Sequence, residues 1–322
     1  VKYDVPQPAE GDVPEGGALV QIAYVSVDPY MRGRMRNQPG YFVGPFQLDS
    51  PIDGYGIVKV LSSRSPRLPA GGMAQGSFAW VKRQILSKEA AAMMRPLDTA
   101  AAPELPLTAY LGPLGMTGLT AYASLAKIGK PVKGETAYVS GAAGAVGYVV
   151  GQLLANVHGV RVVGSAGSDE KVAFLKRVGF HDAFNYKTTT PEEALPKLCP
   201  NGIDIYYDNV GGQTLEAALE SMNTFGRVVA CGAISQYDGA AHKHYGVKNL
   251  FHVVTKRLLV QGFIVGDLIK EYGESFEADM RRYLTEKKVT VEVDIRHGLE
   301  QAGTAFCDMM RGANAGKMLV AV

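Results

Sequence analysis

The apolar positions of this chain change rhythm part-way along it. Over the first ~115 residues they come in short runs broken by glycine and proline, without the spacing of a long helix. Residues 18–26 and 56–61 read as strands between turns such as Glu15-Gly16-Gly17 and Pro69-Ala70-Gly71-Gly72. Near Gly118 a regular alternation begins. Residues 120–127 pattern as a helix closed by Gly129, followed by strand 136–140, helix 146–157 and strand 160–164. Helix 169–178 carries its own punctuation: Ser168 as N-cap, Asp169 and Glu170 in the first turn, Gly179 as the stop. Strands 203–208 and 226–232 flank a helix at 214–223, a strand at 258–265 follows, and a helix occupies 275–286. Short strands then return, ending in Lys317-Met318-Leu319-Val320. Strands alternating with helices predict a parallel sheet covered on both faces. The closing strands predict a C-terminal tail that rejoins the first, β-rich domain. The expected domains are therefore 1–117 with 288–322, and 118–287.

Composition narrows the function classes. A length of 322 residues suits about two domains, and 47% hydrophobic residues supply a packed core. Thirty-three Lys and Arg against 31 Asp and Glu leave a net charge of +2, which argues against a nucleic-acid-wrapping or polybasic membrane protein. No apolar run reaches ~18 residues, so no membrane span is expected. The three cysteines, Cys199, Cys231 and Cys307, form no C-x-x-C, and their odd number fits neither a disulfide framework nor a four-cysteine zinc lobe. A reducing, cytoplasmic setting is expected. The chain opens at Val1 without a charged or apolar leader pattern, and an upstream piece is expected to precede it.

The chemistry begins at Gly141-Ala142-Ala143-Gly144-Ala145-Val146-Gly147, directly after a predicted strand and opening a predicted helix. Against G-x-G-x-x-G it reads A-x-G-x-x-G. Gly144 lets the backbone approach a pyrophosphate, Gly147 lets helix and strand pack closely, and the N–H groups of Ala145, Val146 and Gly147 face the anion. The competing reading is a structural turn; the strand–turn–helix context favours dinucleotide binding. Some twenty residues on, an NAD site places an acid for the ribose hydroxyls. Here Val162-Val163-Gly164-Ser165-Ala166-Gly167-Ser168 offers none, and Lys171 lies in the next helical turn. Unless Lys171 is merely a solvated helix lysine, the pattern favours NADP(H).

With these segments in view, nearly the whole chain resembles the zinc-independent branch of the medium-chain dehydrogenase/reductase superfamily. That branch holds prostaglandin reductases, leukotriene B4 12-hydroxydehydrogenases and plant double-bond reductases. The resemblance lies in Ser26-Val27-Asp28-Pro29-Tyr30-Met31-Arg32, Gly115-Met116-Thr117-Gly118, the glycine turn, Phe184-Asn185-Tyr186-Lys187, Tyr207-Asp208-Asn209-Val210-Gly211-Gly212, Cys231-Gly232-Ala233-Ile234-Ser235, Gln261-Gly262-Phe263-Ile264-Val265 and Asn314-Ala315-Gly316-Lys317. It implies an α/β protein: a GroES-like β-rich catalytic domain plus a Rossmann-type doubly wound parallel-sheet domain. It also implies an NADPH-dependent reductase of the C=C bond of α,β-unsaturated aldehydes and ketones. By that resemblance Lys171 and Tyr186 hold the 2′-phosphate end. Asn209 and the loop Cys231, Gly232, Ala233, Ile234 and Ser235 lie along the ribose. Met116, Thr117, Phe263, Ile264, Val265 and Asn314 approach the nicotinamide half. Bland alternatives stand beside these: Cys231 and Phe263 as plain core, Asn209 as a turn former. Relatives also imply a homodimer through the dinucleotide domain.

No metal is expected. Zinc enzymes of the superfamily place a Cys ligand where this chain has Val27-Asp28-Pro29, and Gly-His-Glu where it has Pro51-Ile52-Asp53-Gly54. His242, His244 and His252 sit in or near a polar loop without acids at ligand spacing, and a solvated loop is the simpler reading. Hydride addition to the β-carbon of an enone leaves an enolate, which needs a hydrogen-bond donor and then a proton at the α-carbon. Relatives use a tyrosine eight positions before Phe263; here that position is Thr255. Tyr245 and Tyr30 are the other candidates, Tyr30 having a half-buried structural role as its alternative. A quinone reductase, or an NADPH-binding protein with little catalysis, are the competing functions.

Overall fold

The computed structural model describes residues 6–36, 41–100, 102–238 and 244–322. The chain divides into two compact units, 1–111 with 293–322, and 112–292. The boundaries expected from sequence lie a few residues inside the second unit. Two sets of local bonds account for the offset. Thr117 Oγ1 and the Gly118 N–H both donate to the Gly112 carbonyl (3.0 and 3.2 Å), tying residues 112–115 to the helix they precede. At the other end the Thr290 N–H donates to Gln152 Oε1 (3.0 Å) and the Glu292 N–H to the Tyr148 hydroxyl (3.4 Å).

The first unit opens with β1 (Ala18–Ser26), a one-turn helix α1 (Met31–Arg34), β2 (Asp53–Ser63), β3 (Met73–Ala79), β4 (Arg83–Leu86), α2 (Lys88–Met93) and β5 (Arg95–Pro96). Val20, Ile22, Val58, Val60 and Phe78 point from these strands into one core. Ser87 caps α2 by accepting from the Ala90 N–H (3.2 Å).

The second unit alternates strand and helix. Its elements run α3 (Met116–Ser124), β6 (Thr136–Val139), α4 (Gly147–Gln152), β7 (Arg161–Ala166), α5 (Asp169–Arg177), β8 (Asp182–Asn185), α6 (Pro191–Leu198) and β9 (Ile203–Asp208). They continue with α7 (Gly212–Ser221), β10 (Met222–Ala230), α8 (His252–Thr255), β11 (Leu259–Gly262) and α9 (Val265–Thr285). The six strands pair in the order β11-β10-β9-β6-β7-β8, all parallel, so every strand ends on the same edge of the sheet. That is the doubly wound arrangement expected from the alternation, and in such sheets ligands bind beyond the carboxyl ends of the strands.

The chain then returns to the first unit as β12 (Val293–His297), α10 (Ala302–Met310) and β13 (Lys317–Ala321). The completed first sheet has the order β12-β13-β1-β2-β3-β5, with β4 beside β1. Met318 and Val320 of β13, with Ala305 and Met309 of α10, complete its core.

The short helices α2, α6 and α10 lie where the sequence reading placed none, and two expected helices start well before the positions it gave them. The first starts at Met116 rather than 120 and closes in a π-helical turn, Leu125–Gly129, with Lys130 left-handed at its end (φ +43°). The last starts at Val265 rather than 275. Gly266 and Gly273 dilute its first ten residues, each weakening helix propensity. Packing overrides them: the rings of Phe276 and Tyr122 of α3 lie 5.7 Å apart, the Tyr122 hydroxyl donates to Asp279 (2.7 Å), and Lys127 pairs with Glu271 (2.8 Å).

One aromatic ring fills the packing of α4 against β7. Phe180 is buried against α4 and β7 at points where glycine alone fits. A Cβ on Gly151 would lie 1.9 Å from Phe180 Cζ, and one on Gly164 would lie 2.8 Å from the same ring. Gly151→Val is therefore expected to destabilise the chain by about 1–3 kcal/mol, an overpacking cost. Gly151→Val with Phe180→Leu should recover part of it. Urea melts of the three variants measure the coupling, and strict additivity of the two single effects would remove this ring from the account.

Candidate functional site

The turn after β6 has the geometry its glycines require. Gly141 is left-handed (φ +56°), and the Gly144 N–H closes back on the Gly141 carbonyl (3.1 Å). A Cβ on Gly147 would stand 2.5 Å from the Gly141 carbonyl oxygen and 2.7 Å from Ala142 Cα, so helix and turn touch backbone to backbone. Ala142 is fully buried with its methyl facing Gly164, which explains why alanine is acceptable at that motif position. No side chain caps α4, so its first N–H groups, at Ala145, Val146 and Gly147, remain the place for an external anion.

Two neighbouring helix starts on this edge are closed internally. Ser168 accepts from the Lys171 N–H (3.4 Å) at α5, as the sequence predicts. Ahead of α7, Asp208 Oδ1 accepts from the Val210 and Gly211 N–H groups (2.9 and 2.8 Å). The same carboxylate oxygen takes the Tyr206 hydroxyl (2.6 Å) and lies 3.3 Å from Ser140 Oγ, which donates to it. Burial pushes the Asp208 carboxyl above the usual carboxylate range, and its four donors pull it back. The Asp208 carbonyl meanwhile accepts from the Cys231 and Gly232 N–H groups (2.9 and 3.0 Å), so one residue ties β9 to β6 and to the loop after β10.

Asn209 follows from that anchor. Its N–H donates to Ser140 Oγ (3.1 Å) and its side-chain amide to the Ser140 carbonyl (2.8 Å). The 231–235 loop is held by Ser235 Oγ donating to the Val210 carbonyl (2.6 Å), by Ile234 N–H to Asn209, and by Ala233 N–H to the Tyr237 hydroxyl (3.3 Å). The structure thus brings together the glycine turn, Asn209 and the Cys231–Ser235 segment. Met116 and Thr117 open α3, Phe263 precedes α9, Ile264 is its N-cap and Val265 its first residue. Asn314 belongs to the first unit, buried, its amide donating to the Gly316 carbonyl (2.9 Å).

At the end of β7 the residues are small and carry no acid. A Cβ on Gly167 would meet the Tyr186 hydroxyl at 2.8 Å and Lys187 Cε at 3.3 Å, so these two side chains wall the β7–α5 turn. Lys171 stands in the first turn of α5. Lys187 is a second cation at this corner that sequence reasoning passed over. Its signal was its place beside Tyr186 at the end of a strand next to β7. Ser140 and Asp208 were missed as well. An acid directly after the run Ile205-Tyr206-Tyr207, at the end of a predicted strand of a covered parallel sheet, is a buried charge in need of donors, and that was the readable sign.

The candidate proton-handling groups are differently placed. Tyr30 lies in the first unit, its backbone carbonyl accepting from the Tyr41 hydroxyl (3.0 Å) and its ring 6.3 Å from Phe42. Burial, reinforced by the charge of Asp28, drives its phenol well above the ordinary tyrosine value. Tyr245 donates its hydroxyl to Glu216 (3.0 Å), and its N–H to Gln236 (2.8 Å). Thr255 ends the short, exposed α8, 3.5 Å from His252 Nδ1. His252 itself pairs with Glu220 (2.7 Å), and His242 lies outside the described residues.

Comparison with known proteins agrees with this geometry. The family model "Zinc-binding dehydrogenase" matches residues 145–282, and "N-terminal domain of oxidoreductase" matches residues 2–94. The chain is 44% identical over 314 residues to the 2-alkenal reductase (NADP(+)-dependent) of Nicotiana tabacum, covering 96% of this chain and 89% of that protein. It is 38% identical over 306 residues to prostaglandin reductase 1 of Mus musculus, covering 95% and 89%. A solved structure of CurA from Vibrio vulnificus in complex with NADPH superposes with a TM-score of 0.88 at 34% identity, covering 100% of this chain and 93% of that one.

The cysteines give a direct test of the site's packing. Burial pushes the thiols of both Cys199 and Cys231 up to about 11, while Cys307 is exposed. Iodoacetamide at pH 8 should add a single carbamidomethyl group, on Cys307, with Cys199 and Cys231 reacting only after denaturation. Peptide mass spectrometry reads the sites; rapid labelling of native Cys231 would contradict its raised thiol.

Proposed function

The chain belongs to the zinc-independent medium-chain dehydrogenase/reductase family, and on that premise we propose that it reduces the C=C bond of α,β-unsaturated aldehydes and ketones with NADPH. The observation that carries the reading is the fit of this chain's own residues to that cofactor. The N–H groups at the start of α4 suit the pyrophosphate, and the acid-free end of β7 with Lys171, Tyr186 and Lys187 suits a 2′-phosphate. Bound NADPH supplies the hydride for the substrate's β-carbon.

The protein's own contribution is positional and electrostatic. Asp208 and Ser140 hold Asn209 and the 231–235 loop in place along the ribose. Tyr30, kept protonated by burial, donates a hydrogen bond to the carbonyl oxygen as enolate charge builds there. Water supplies the proton that reaches the α-carbon, so each turnover converts one enone, one NADPH and one proton into a saturated carbonyl and NADP+. The position that zinc relatives give to a ligand is Asp28, whose carboxylate is already engaged by Lys317 (3.1 Å) and by the Ser26 hydroxyl (2.5 Å).

Three outcomes follow from this reading. Purified protein should oxidise NADPH in the presence of but-3-en-2-one or 2-hexenal and release the saturated carbonyl. Tyr30→Phe should lower kcat roughly 10²-fold, the usual effect of removing one oxyanion donor, while Tyr245→Phe changes it far less. Mass-spectrometric product analysis decides, and absence of saturated product from any enal or enone would sink the proposal. For the cofactor, Lys171→Ala and Lys187→Ala should each weaken NADPH about tenfold, ~1.4 kcal/mol, and leave NADH nearly unchanged. Fluorescence titration at fixed ionic strength separates the two.

We also propose that two copies associate through the edge of the second sheet. β11 pairs with β10 alone, and Leu259 and Val260 on it are each 44% exposed. An unpaired, apolar edge strand is a template for a second chain. Val260→Lys should shift the particle in light scattering from two chains to one; a monomeric wild type would end this part of the reading.

A further inference from the structure

The most deeply buried ion pair among the described residues joins Lys317 to Asp28, which are 1% and 3% exposed. Its bonds are fully used. Lys317 Nζ lies 3.1 Å from Asp28 Oδ1 and donates to the Val27 carbonyl (2.7 Å) and the Met318 carbonyl (3.0 Å). Asp28 Oδ2 takes the Ser26 hydroxyl (2.5 Å). Burial lowers the pKa of the Lys317 ammonium, and the Asp28 charge opposes that.

Such a pair is a poor device for stability. Taking both charges out of water costs about as much as their attraction returns, and two apolar side chains of the same volume hold strands together as well or better. What an apolar pair lacks is direction. The ammonium has three protons and meets three acceptors, two of them backbone carbonyls on different segments, so it fixes how those segments lie against each other.

Both segments lead into residues of the proposed site. Asp28 stands two positions before Tyr30, and its carbonyl accepts from the Met31 N–H (3.1 Å) at the start of α1. Lys317 stands three positions after Asn314, whose amide is locked onto the Gly316 carbonyl. The Val27 N–H donates to the Met318 carbonyl (3.3 Å) beside the pair. We infer that Lys317 and Asp28 are positioning residues for the reduction, setting the Tyr30 segment and the Asn314 segment in one fixed register within the first unit. This inference rests on the proposed role of Tyr30 and on the place that the family resemblance gives Asn314.

The test replaces the pair with a neutral one, Asp28→Asn with Lys317→Met, in the full chain. Melting temperature, kcat with but-3-en-2-one, and affinities for NADPH and for 2′,5′-ADP are measured; 2′,5′-ADP carries the adenosine half alone and serves as the control. The expected result is a folded variant with wild-type 2′,5′-ADP affinity, weakened NADPH binding, and kcat at least tenfold lower. A folded variant with kcat and NADPH affinity within twofold of wild type overturns the inference. If the double variant does not fold, Ser26→Ala decides. It keeps both charges and removes only the bond aiming the carboxylate: a several-fold lower kcat at unchanged melting temperature supports the inference, and unchanged kcat overturns it. If wild type reduces no enone, the functional reading fails by itself. The ratio of NADPH to 2′,5′-ADP affinity in the double variant then decides the pair's role, a fall supporting it and no change overturning it.

Discussion

A carboxylate held inside a protein must be given donors, and at Asp208 that demand organises the working edge of the dinucleotide unit. Leaving such a group unpaired costs several kcal/mol. The fold answers with a tyrosine hydroxyl, a serine hydroxyl and two backbone N–H groups converging on one oxygen. Each donor comes from a segment that must then stay put. Ser140 lies at the end of β6 and immediately precedes the glycine turn. Val210 and Gly211 lead into α7, and the Asp208 carbonyl draws in the loop after β10. The electrostatic requirement of one side chain thereby becomes the geometry of three strand ends. It also consumes the N–H groups ahead of α7, whereas no side chain caps the start of α4 beside it.

The architecture was legible because its signals are local. A strand, a glycine turn and a helix with Ser168 at its cap are written in adjacent residues, and the parallel sheet follows from their repetition. What stayed hidden depends on contacts between residues far apart in sequence. The early start of α9 is decided by Phe276 and Asp279 meeting Tyr122, which no pattern around Gly266 and Gly273 reveals. Lys187 becomes relevant to the phosphate corner only once β8 is placed beside β7. The unit boundary shifted for the same reason: Gly112 belongs with the helix whose Thr117 hydroxyl it accepts, although its own neighbours read as loop.

The two units solve the buried-acid problem differently. Asp208 is satisfied by neutral donors and remains the single charge of its network, whereas Asp28 is matched by a full ammonium. A neutral shell adapts by small rotations of hydroxyls. An ion pair with three fixed acceptors does not, and this suits the role proposed for the segment that carries Tyr30.

Under the proposed function the raised thiol of Cys231 has a consequence for the protein's own survival. Enals and enones are soft electrophiles that alkylate thiolates at the same β-carbon that receives hydride. A protein that gathers them beside its cofactor loop exposes its cysteines to them at every turnover. Burial holds the Cys231 thiol up at about 11, so it is scarcely ionised near neutral pH, and Cys199 is held up in the same way. On the proposed function, the burial that raises these two thiols would also spare the catalyst from what it consumes, with the exposed Cys307 the first to form an adduct.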